Sequence, residues 1–329
     1  MHAPEEVRRS FPGKLQGSTM NEVKVIAEIG CNHKGDMAIA RELIQVAAQV
    51  CKAHVAKFQK RNNRELLTPA EYSTPHPNPA NSYGETYGAH REFLEFSVDQ
   101  HAELKEECER HGIEYSTSVW DLTSAREIAS LNPGLIKIPS ATNQHYELQR
   151  YLCENYGGEI HVSTGMTDHA EIEKLVGFYA EMGRSKDLVL YACTSGYPVP
   201  FEDLALLEIN RLQENFGDRV KYIGFSGHHL GIAADVAALA VGRTGQHRYG
   251  QGTFGYVERH FTLDRTWKGT DHAASLEPDG LRRLCRDIRH VDQSLTYKSD
   301  EILPIEQVQR DKLKWSQDKH GDQVVRLAS

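Results

Sequence analysis

Two histidines that follow apolar segments are the residues best suited to chemistry in this sequence of 329 residues. The segment Val220 to Phe225 leads into His228, and the segment Tyr256 to Phe261 carries Glu258 and His260 on one face. Both segments have the length and composition of buried strands, so each delivers a histidine near its carboxyl end. Two such histidines favour a divalent metal site or an acid–base site at the mouth of a barrel. A single histidine at a strand end is more often structural, so this hypothesis depends on the other strands.

The other predicted strands also end in polar or ionisable side chains, although their bodies are apolar. In chain order these side chains are Glu28, Lys57, Gln59, Thr117, Lys137, Ser140, Ser163, Ser195, Tyr197 and Ser226. Leaving one such group buried and unpaired costs about 1–3 kcal/mol, so a complete ring of them indicates a ligand-binding site. Two lysines and several hydroxyl groups suit a phosphate and a carboxylate, and Glu28 suits acid–base work. A lysine at a barrel strand end is also a plausible Schiff-base nucleophile, so an aldolase that uses Lys57 or Lys137 stays an alternative.

Eight apolar segments alternate with helical patterns and predict the elements that position these side chains. The predicted strands are Val23–Ile29, His54–Gln59, Ile113–Thr117, Leu135–Ile138, Ile160–Thr164, Leu188–Ala192, Val220–Phe225 and Tyr256–Phe261. Asp36 suits the N-cap of the first helix, and Pro278 to about Leu295 forms the last amphipathic helix. Segments that are apolar on both faces are typical of parallel strands buried between helices, so we predict a single-domain (β/α)8 TIM barrel of the α/β class. No GxGxxG or GxxxxGK[ST] motif supports a Rossmann or P-loop fold.

The predicted barrel covers residues 22–298, after a disordered leader at 1–21 and before a polar, partly helical tail at 299–329. Two connections interrupt its regular alternation. Lys60 to Phe96 follows the second strand on the side where barrel sites are built, and its length favours a lid over the site. Arg243 to Thr253 precedes the last strand, so we expect this connection at the opposite face, without a role in the chemistry.

Composition narrows the class of protein. The formal net charge is −8 and no basic cluster would follow a nucleic-acid backbone, so nucleic acid is not an expected partner. Hydrophobic residues make up 39% of the chain, and no apolar run is long enough to span a bilayer. The N-terminal residues lack the apolar segment of a secretory signal. The six cysteines are widely spaced, which is typical of reduced thiols in a cytoplasmic enzyme rather than of a disulfide framework or a zinc ribbon.

With these residues in place, the chain resembles the sialic acid synthase family, which comprises N-acetylneuraminate synthase and its relatives. The ordered motifs between residues 22 and 298 are Ile26-Ala27-Glu28-Ile29-Gly30-x-Asn32-His33-x-Gly35, Lys57-Phe58-Gln59, Lys137-Ile138-x-Ser140, Ser163-Thr164-Gly165-Met166, Cys193-Thr194-x-x-Tyr197-Pro198, Gly224-Phe225-Ser226-x-His228 and Glu258-Arg259-His260-Phe261. Each motif is modest alone, but the ordered set is highly specific. The resemblance implies a (β/α)8 barrel and a transferase that joins phosphoenolpyruvate, water and an N-acylhexosamine aldehyde. N-acetylmannosamine is the leading acceptor, and the products are then N-acetylneuraminate, or a related nonulosonic acid, and phosphate.

The resemblance also implies roles for individual residues. Phosphoenolpyruvate would be bound by Lys57, Thr117, Lys137, Ser140, Ser163, Ser195 and Ser226. The sugar would be oriented by Glu28, Gln59, Asn81, Tyr197 and Asp271. Mn²⁺ or Mg²⁺, held by His228 and His260, would polarise the sugar aldehyde. The catalytic residues would be Glu28, Lys57 and Lys137.

Three departures from the family pattern affect these expectations. Ala141-Thr142 replaces a frequent Gly-Glu pair after the fourth strand, and Ser195 stands where Asn is frequent. We also expect the chain to lack the C-terminal antifreeze-like domain, which in typical members reaches into the partner's site with an arginine. By hypothesis, residues in or beside the long connection replace that arginine, namely Arg61, Arg64, His90 or Arg91. A homo-oligomer stays open, as does a catalytically degenerate barrel kept for binding.

Overall fold

The eight predicted strands form one closed barrel of parallel strands in chain order. A computed structural model describes residues 22–249 and 253–316, so the predicted leader at 1–21 and the end of the tail lie outside the described residues. The strands are β1 (Lys24–Gly30), β2 (Val55–Lys60), β3 (Glu114–Val119), β4 (Leu135–Ile138), β5 (Glu159–Ser163), β6 (Leu188–Cys193), β7 (Tyr222–Gly227) and β8 (Phe254–His260). Each boundary lies within two residues of the prediction, and the predicted (β/α)8 barrel is confirmed.

The helices alternate with the strands along the chain or follow the last strand, and most of them begin at a side chain that caps the first turn. They are α1 (Met37–Gln45), α2 (Asn63–Leu66), α3 (Pro69–Ser73), α4 (Tyr87–Phe93), α5 (Val98–His111), α6 (Leu122–Ser130), α7 (Tyr146–Asn155), α8 (His169–Glu181), α9 (Glu208–Phe216), α10 (Ala233–Tyr249), α11 (Pro278–Ser294) and α12 (Pro304–Leu313). The Asp36 side chain accepts hydrogen bonds from Ala38 and Ile39 at the start of α1, as predicted. None of the helices in the described ranges is long and apolar enough to cross a membrane.

The interior of the barrel changes from apolar to polar along the strands. Near its amino end, a buried cluster contains Ile26, Val55, Leu135, Val189, Tyr191 and Tyr256. Two residues further along β1 and β8, and at matching positions of β2 and β7, the same interior face carries polar side chains. The strand register places Glu28 beside both Lys57 and His260, and Ser226 beside Glu258. The period of two along each strand therefore delivers the predicted groups to one end of the barrel.

The long connection after β2 is an ordered wall that contains α2, α3 and α4. Within it, the rings of Tyr83 and Phe93 stack with centroids 5.0 Å apart. The Tyr83 hydroxyl donates a hydrogen bond to the Lys268 carbonyl, in the connection after β8. These contacts hold the wall beside the carboxyl end of the barrel, which is the position predicted for a lid.

The Gly- and Arg-rich segment before β8 differs from the prediction. Residues 243–249 continue helix α10, and the interruption is confined to a shorter stretch that includes the undescribed residues 250–252. Arg243 is buried and binds Asp292 through two nitrogens at 2.6 and 2.8 Å. Its guanidinium also donates to the carbonyl of Phe254, the first residue of β8, at the end of the barrel opposite the polar ring. Because Arg243 is paired with Asp292, a segment whose composition is typical of a loop can continue the helix.

The described residues up to Asp292 form one compact unit, and those from Gln293 onward form a second. The second unit contains α12, which lies in the tail that the sequence predicts to be partly helical. Within this unit, the Lys298 ammonium binds both carboxylate oxygens of Glu306 at 2.7 and 2.8 Å. The boundary between barrel and tail at residue 298 stays a prediction.

A buried ion pair ties the ends of β7 and β8 to helix α10. The guanidinium of Arg259 contacts the Asp235 carboxylate and donates to the carbonyl of His229. The imidazole of His229 lies 3.2 Å from Asp235 Oδ2, so it points away from the barrel interior as strand alternation predicts. All three side chains are at most 1% exposed. This network fixes the residues next to His228 and His260.

Replacing Asp235 with alanine should lower the free energy of unfolding by about 3–5 kcal/mol, because it leaves the buried Arg259 guanidinium without its carboxylate. Urea denaturation measures this change. Glu173→Ala is the matched control, since Glu173 pairs with Arg219 on the surface and its loss should cost within about 1 kcal/mol. Equal midpoints for Asp235→Ala and the unmodified protein would contradict the structural role of the pair.

Candidate active site

A cavity of about 410 Å³ opens at the carboxyl ends of the strands, where the sequence places its polar ring. Most of the predicted site residues line it, together with side chains of the long connection. The predicted residues that line the cavity are Glu28, Lys57, Gln59, Lys137, Ser140, Ser163, Ser195, Tyr197, Ser226, His228, His260 and Asp271. This position matches that of active sites in (β/α)8 barrels.

Two lysines and two glutamates, which we call the charged ring, lie buried at the base of the cavity and alternate in charge in the order Glu28, Lys57, Glu258 and Lys137. Lys57 contacts the Glu28 carboxylate, and its ammonium lies 3.6 Å from Glu258 Oε2. It also donates to the Ser118 hydroxyl at 2.7 Å. Lys137 contacts the other oxygen of Glu258. The four charged side chains are no more than 6% exposed, so each depends on its neighbours for compensation.

Burial and ion pairing shift the pKa values of the four charged groups in different directions. Burial raises the pKa of Glu28, against the lowering effect of Lys57. Burial alone would also raise the pKa of Glu258, but Lys137 and Lys57 outweigh it and hold that pKa below its ordinary value. For Lys57, two carboxylates outweigh burial and raise the pKa, whereas burial prevails at Lys137 and lowers it. Glu28 is therefore the carboxyl of the ring that binds a proton more readily.

Serine hydroxyls surround a second part of the cavity. Ser226 donates to Glu258 Oε1 at 2.9 Å and so joins the charged ring. Gly165, in the turn after β5, lies against the hydroxyls of Ser140 and Ser195. A Cβ atom at Gly165 would meet these two oxygens at 2.6 and 2.5 Å. The absence of a side chain at Gly165 therefore leaves room for a cradle of hydroxyl groups, which is a suitable environment for a phosphate.

His228 and His260 lie next to each other at the ends of β7 and β8, with ring centroids 5.4 Å apart. His228 Nδ1 is 3.0 Å from the Thr194 carbonyl, so this nitrogen donates and Nε2 keeps its lone pair. Burial, together with His260, lowers the pKa of His228 to about 3 and keeps the ring neutral. His260 Nδ1 is buried without a hydrogen-bond partner, and Asp271 Oδ2 lies 3.8 Å away.

Two imidazoles and a nearby carboxylate are donors that suit a divalent cation, so the residues present fit the expected metal. Within residues 22–249 and 253–316, no set of three or more His, Cys, Asp or Glu side chains is already arranged as a complete metal site. His228 and His260 would therefore supply part of the coordination sphere.

The predicted sugar-binding residues lie around the histidine pair. Gln59 donates to Glu28 Oε1 at 3.2 Å, which fixes its amide. The ring of Tyr197 packs on His228 with centroids 4.4 Å apart, and its side chain is 55% exposed in the mouth of the cavity. The Gln59 amide and the Tyr197 hydroxyl can donate hydrogen bonds, and the Asp271 carboxylate beside His260 can accept them. Together these groups suit a polyhydroxylated ligand.

Two predicted binding residues do not reach the cavity. Thr117 is buried on the outer face of β3, in register with Phe58, and its hydroxyl donates to that of Tyr115 at 2.6 Å. The correct interior residue is Ser118, which accepts the hydrogen bond from Lys57. Thr117 therefore does not line the cavity, and the period of two counted from Ser116 points to Ser118 instead.

Asn81 ends a short 3₁₀ turn in the long connection and does not line the cavity. Among the four candidates to replace the partner's arginine, Arg64 also lies outside it, with its guanidinium 4.0 Å from the ring centroid of Tyr72. Arg61, His90 and Arg91 do line it.

Sequence reasoning missed further lining residues. Those from the long connection and the end of β3 are His76, Tyr87, Leu94, Ser118 and Trp120, and those from strand ends include Cys31 and Cys193. Burial raises the pKa of Cys31 to about 12, against the lowering effect of Arg61, so its thiol is neutral. The sequence around Cys31 does not reveal that its thiol lines the cavity. The Arg61 guanidinium donates to Cys31 Sγ, and this contact depends on how the long connection folds.

Comparison with known proteins agrees with this geometry. The sequence model of the NeuB family matches residues 43–300. The human protein named N-acetylneuraminate-9-phosphate synthase is 35% identical over 307 residues, which cover 92% of this chain and 79% of the human one. The N,N'-diacetyllegionaminic acid synthase of Campylobacter jejuni is 31% identical over 84% of this chain and 78% of its own length.

A solved structure shares the fold. The crystal structure of an N-acetylneuraminic acid (sialic acid) synthetase from Leptospira borgpetersenii, in complex with citrate, superposes with a TM-score of 0.72 at 26% identity. The match covers 90% of this chain and 94% of that one. Family model, relatives and fold agree: the chain belongs to the NeuB family, which confirms its resemblance to the sialic acid synthases.

Proposed function

We propose that this protein is a phosphoenolpyruvate-dependent synthase of nonulosonic acids. It condenses phosphoenolpyruvate with an N-acylhexosamine aldehyde of the N-acetylmannosamine type to give N-acetylneuraminate or a related nonulosonic acid. Carbon 3 of phosphoenolpyruvate forms the new bond to the aldehyde carbon, and water adds at carbon 2. The C–O bond to phosphate then breaks, so that phosphoenolpyruvate, aldehyde and water give one keto acid and inorganic phosphate.

The buried ring of Lys57, Lys137, Glu28 and Glu258 carries this proposal, because it shares one cavity with the histidine pair. A small dianion with a carboxylate and a phosphate needs compact cations in a site shielded from water. Lys57 and Lys137 supply these cations, and the hydroxyls of Ser140, Ser163, Ser195 and Ser226 supply donors to the same ligand. Relatives named as synthases of sialic and legionaminic acids support the same class of reaction.

His228 and His260 are assigned to Mn²⁺ or Mg²⁺. When bound, the metal would act as a Lewis acid on the sugar aldehyde. The hydrogen bond from His228 Nδ1 to the Thr194 carbonyl orients the ring, so that Nε2 is the donor to the metal. Glu28, beside His260 in the strand register, holds or releases a proton near the reacting carbons, and Gln59, Tyr197 and Asp271 orient the sugar.

A Schiff-base aldolase is less well supported than the synthase. Such an enzyme needs a neutral lysine amine, but two carboxylates raise the pKa of Lys57 and keep it an ammonium. Burial does lower the pKa of Lys137, although that residue is held in an ion pair with Glu258. The complete set of charged and imidazole groups also disfavours a barrel kept only for binding.

Phosphate release from phosphoenolpyruvate with a panel of aldehydes tests the proposed function. The panel contains N-acetylmannosamine, its 6-phosphate, mannose and a diacetamidohexose. We expect turnover with at least one N-acylated hexosamine, with one keto acid formed per phosphate released. Failure with every member of the panel, in the presence of Mn²⁺ or Mg²⁺, would overturn the proposal.

His228→Ala and His260→Ala should each abolish metal-dependent turnover. The loss should exceed the ~10–100-fold drop typical of changes to outer-shell partners of a metal, because each removes a direct ligand. Calorimetric titration with Mn²⁺ should show weaker binding in both variants. His290→Ala, an exposed histidine on α11, is the control and should behave like the unmodified protein. Near-normal rates for either site variant would refute the metal assignment.

Gly165→Ala should raise the KM for phosphoenolpyruvate by at least about tenfold, because its Cβ displaces the hydroxyls of Ser140 and Ser195. Steady-state kinetics measures the effect. Gly177→Ala in helix α8 is the matched control, since a Cβ there meets no atom within 4 Å and the KM should stay unchanged. An unchanged KM in Gly165→Ala would show that the two hydroxyls do not bind phosphoenolpyruvate.

A further inference from the structure

Arg91, on helix α4 of the long connection, is an uncompensated cation in the wall of the cavity. Four lysine and arginine side chains line this cavity. Lys57 pairs with Glu28, Lys137 pairs with Glu258, and Arg61 binds Glu95 through its Nε at 2.5 Å. In the part of the chain that the structure describes, Arg91 has no ion pair with a carboxylate.

Aromatic rings hold the Arg91 guanidinium in place. Its Cζ atom lies 5.0 Å from the ring centroid of Tyr87 and 5.5 Å from that of Trp120. Trp120 also faces the guanidinium of Arg61 at 5.7 Å. The aromatic faces and a hydrogen bond with the Tyr87 side chain stabilise the guanidinium without neutralising its charge, which an anionic ligand can balance. The side chain is therefore oriented in advance for a ligand.

His90, beside Arg91, adds a neutral donor. Its Nδ1 accepts a hydrogen bond from the Tyr83 backbone N–H at 3.1 Å, so the proton of the neutral ring is on Nε2. Burial, His76 and the cationic guanidiniums of Arg61 and Arg91 together lower the pKa of His90 to about 4. The same cations make the local potential positive. Such a surface favours an anion over the neutral acyl and hydroxyl groups of a sugar.

We propose that Arg91 and His90 form a subsite for a phosphate group on the acceptor sugar, so that the acceptor is a phosphorylated N-acylhexosamine. This inference rests on the proposed function and names its substrate class. A phosphate dianion supplies the charge that Arg91 lacks and accepts hydrogen bonds from both side chains. The subsite lies on the wall formed by the long connection, whereas the lysine ring is carried by the strands, so the cavity offers separate places for two anionic ends.

Acceptor preference tests the subsite. The kcat/KM of the unmodified protein should be at least about tenfold higher with N-acetylmannosamine 6-phosphate than with N-acetylmannosamine. In Arg91→Gln, kcat/KM with the phosphorylated sugar should fall about 10–100-fold further than with the neutral sugar, because a charge-assisted pair is lost. Arg91→Lys keeps the charge and should restore part of the preference. Arg64→Gln, an arginine of the same connection outside the cavity, should keep the full preference.

Two outcomes would overturn the subsite while leaving the proposed function intact. One is an equal fall for both sugars in Arg91→Gln, and the other is an increase in the KM for phosphoenolpyruvate instead of the sugar. Absence of turnover with every aldehyde of the panel would instead contradict the proposed function. In that case, calorimetric titration with N-acetylmannosamine 6-phosphate still decides the matter: binding that weakens in Arg91→Gln supports the subsite, and equal binding overturns it.

Discussion

The mutual compensation of Lys57, Lys137, Glu28 and Glu258 is the interaction on which the site depends. Each charge is removed from water, and removing one member of such a set leaves its neighbour buried without a partner. An open sheet would leave one side of this ring in water, whereas a closed barrel surrounds it. The closed barrel therefore explains how four charges are concentrated where two small anionic or polar substrates would meet.

The pair of metal-site candidates depends on a different set of contacts. His228 is fixed from inside the site by the Thr194 carbonyl. On the side away from the cavity, Asp235 and Arg259 hold its neighbour His229 in place. Arg259 in turn directly precedes His260 in the sequence. Alternation along β7 and β8 thus assigns one set of residues to the site and the next set to a buried support. The support limits how far the two imidazoles can separate.

The sequence predicts most of the fold because the apolar strand segments and helix caps are local signals. Interior positions follow from the period of two, which brings Lys57, Lys137, Glu258 and both histidines to the cavity and turns Thr117 away from it. Contacts of the long connection are harder to predict. The partners of Arg61, His90 and Arg91 depend on how α2, α3 and α4 pack, and no local pattern distinguishes a paired arginine from an unpaired one.

The functional side chains also fall into two groups, those carried by the strands and those carried by the long connection. Residues on strands are held by barrel hydrogen bonds on both sides, so they suit chemistry that tolerates little displacement. Residues on the connection are held outside the hydrogen-bonded sheet, by contacts such as the Tyr83 hydroxyl on the Lys268 carbonyl and Arg61 on Glu95. A wall of this kind can change its side chains without disturbing the charged ring. Relatives that share the barrel can therefore share the reaction and differ in the sugar, and Arg91 lies on the part of the cavity where such differences cost the fold least.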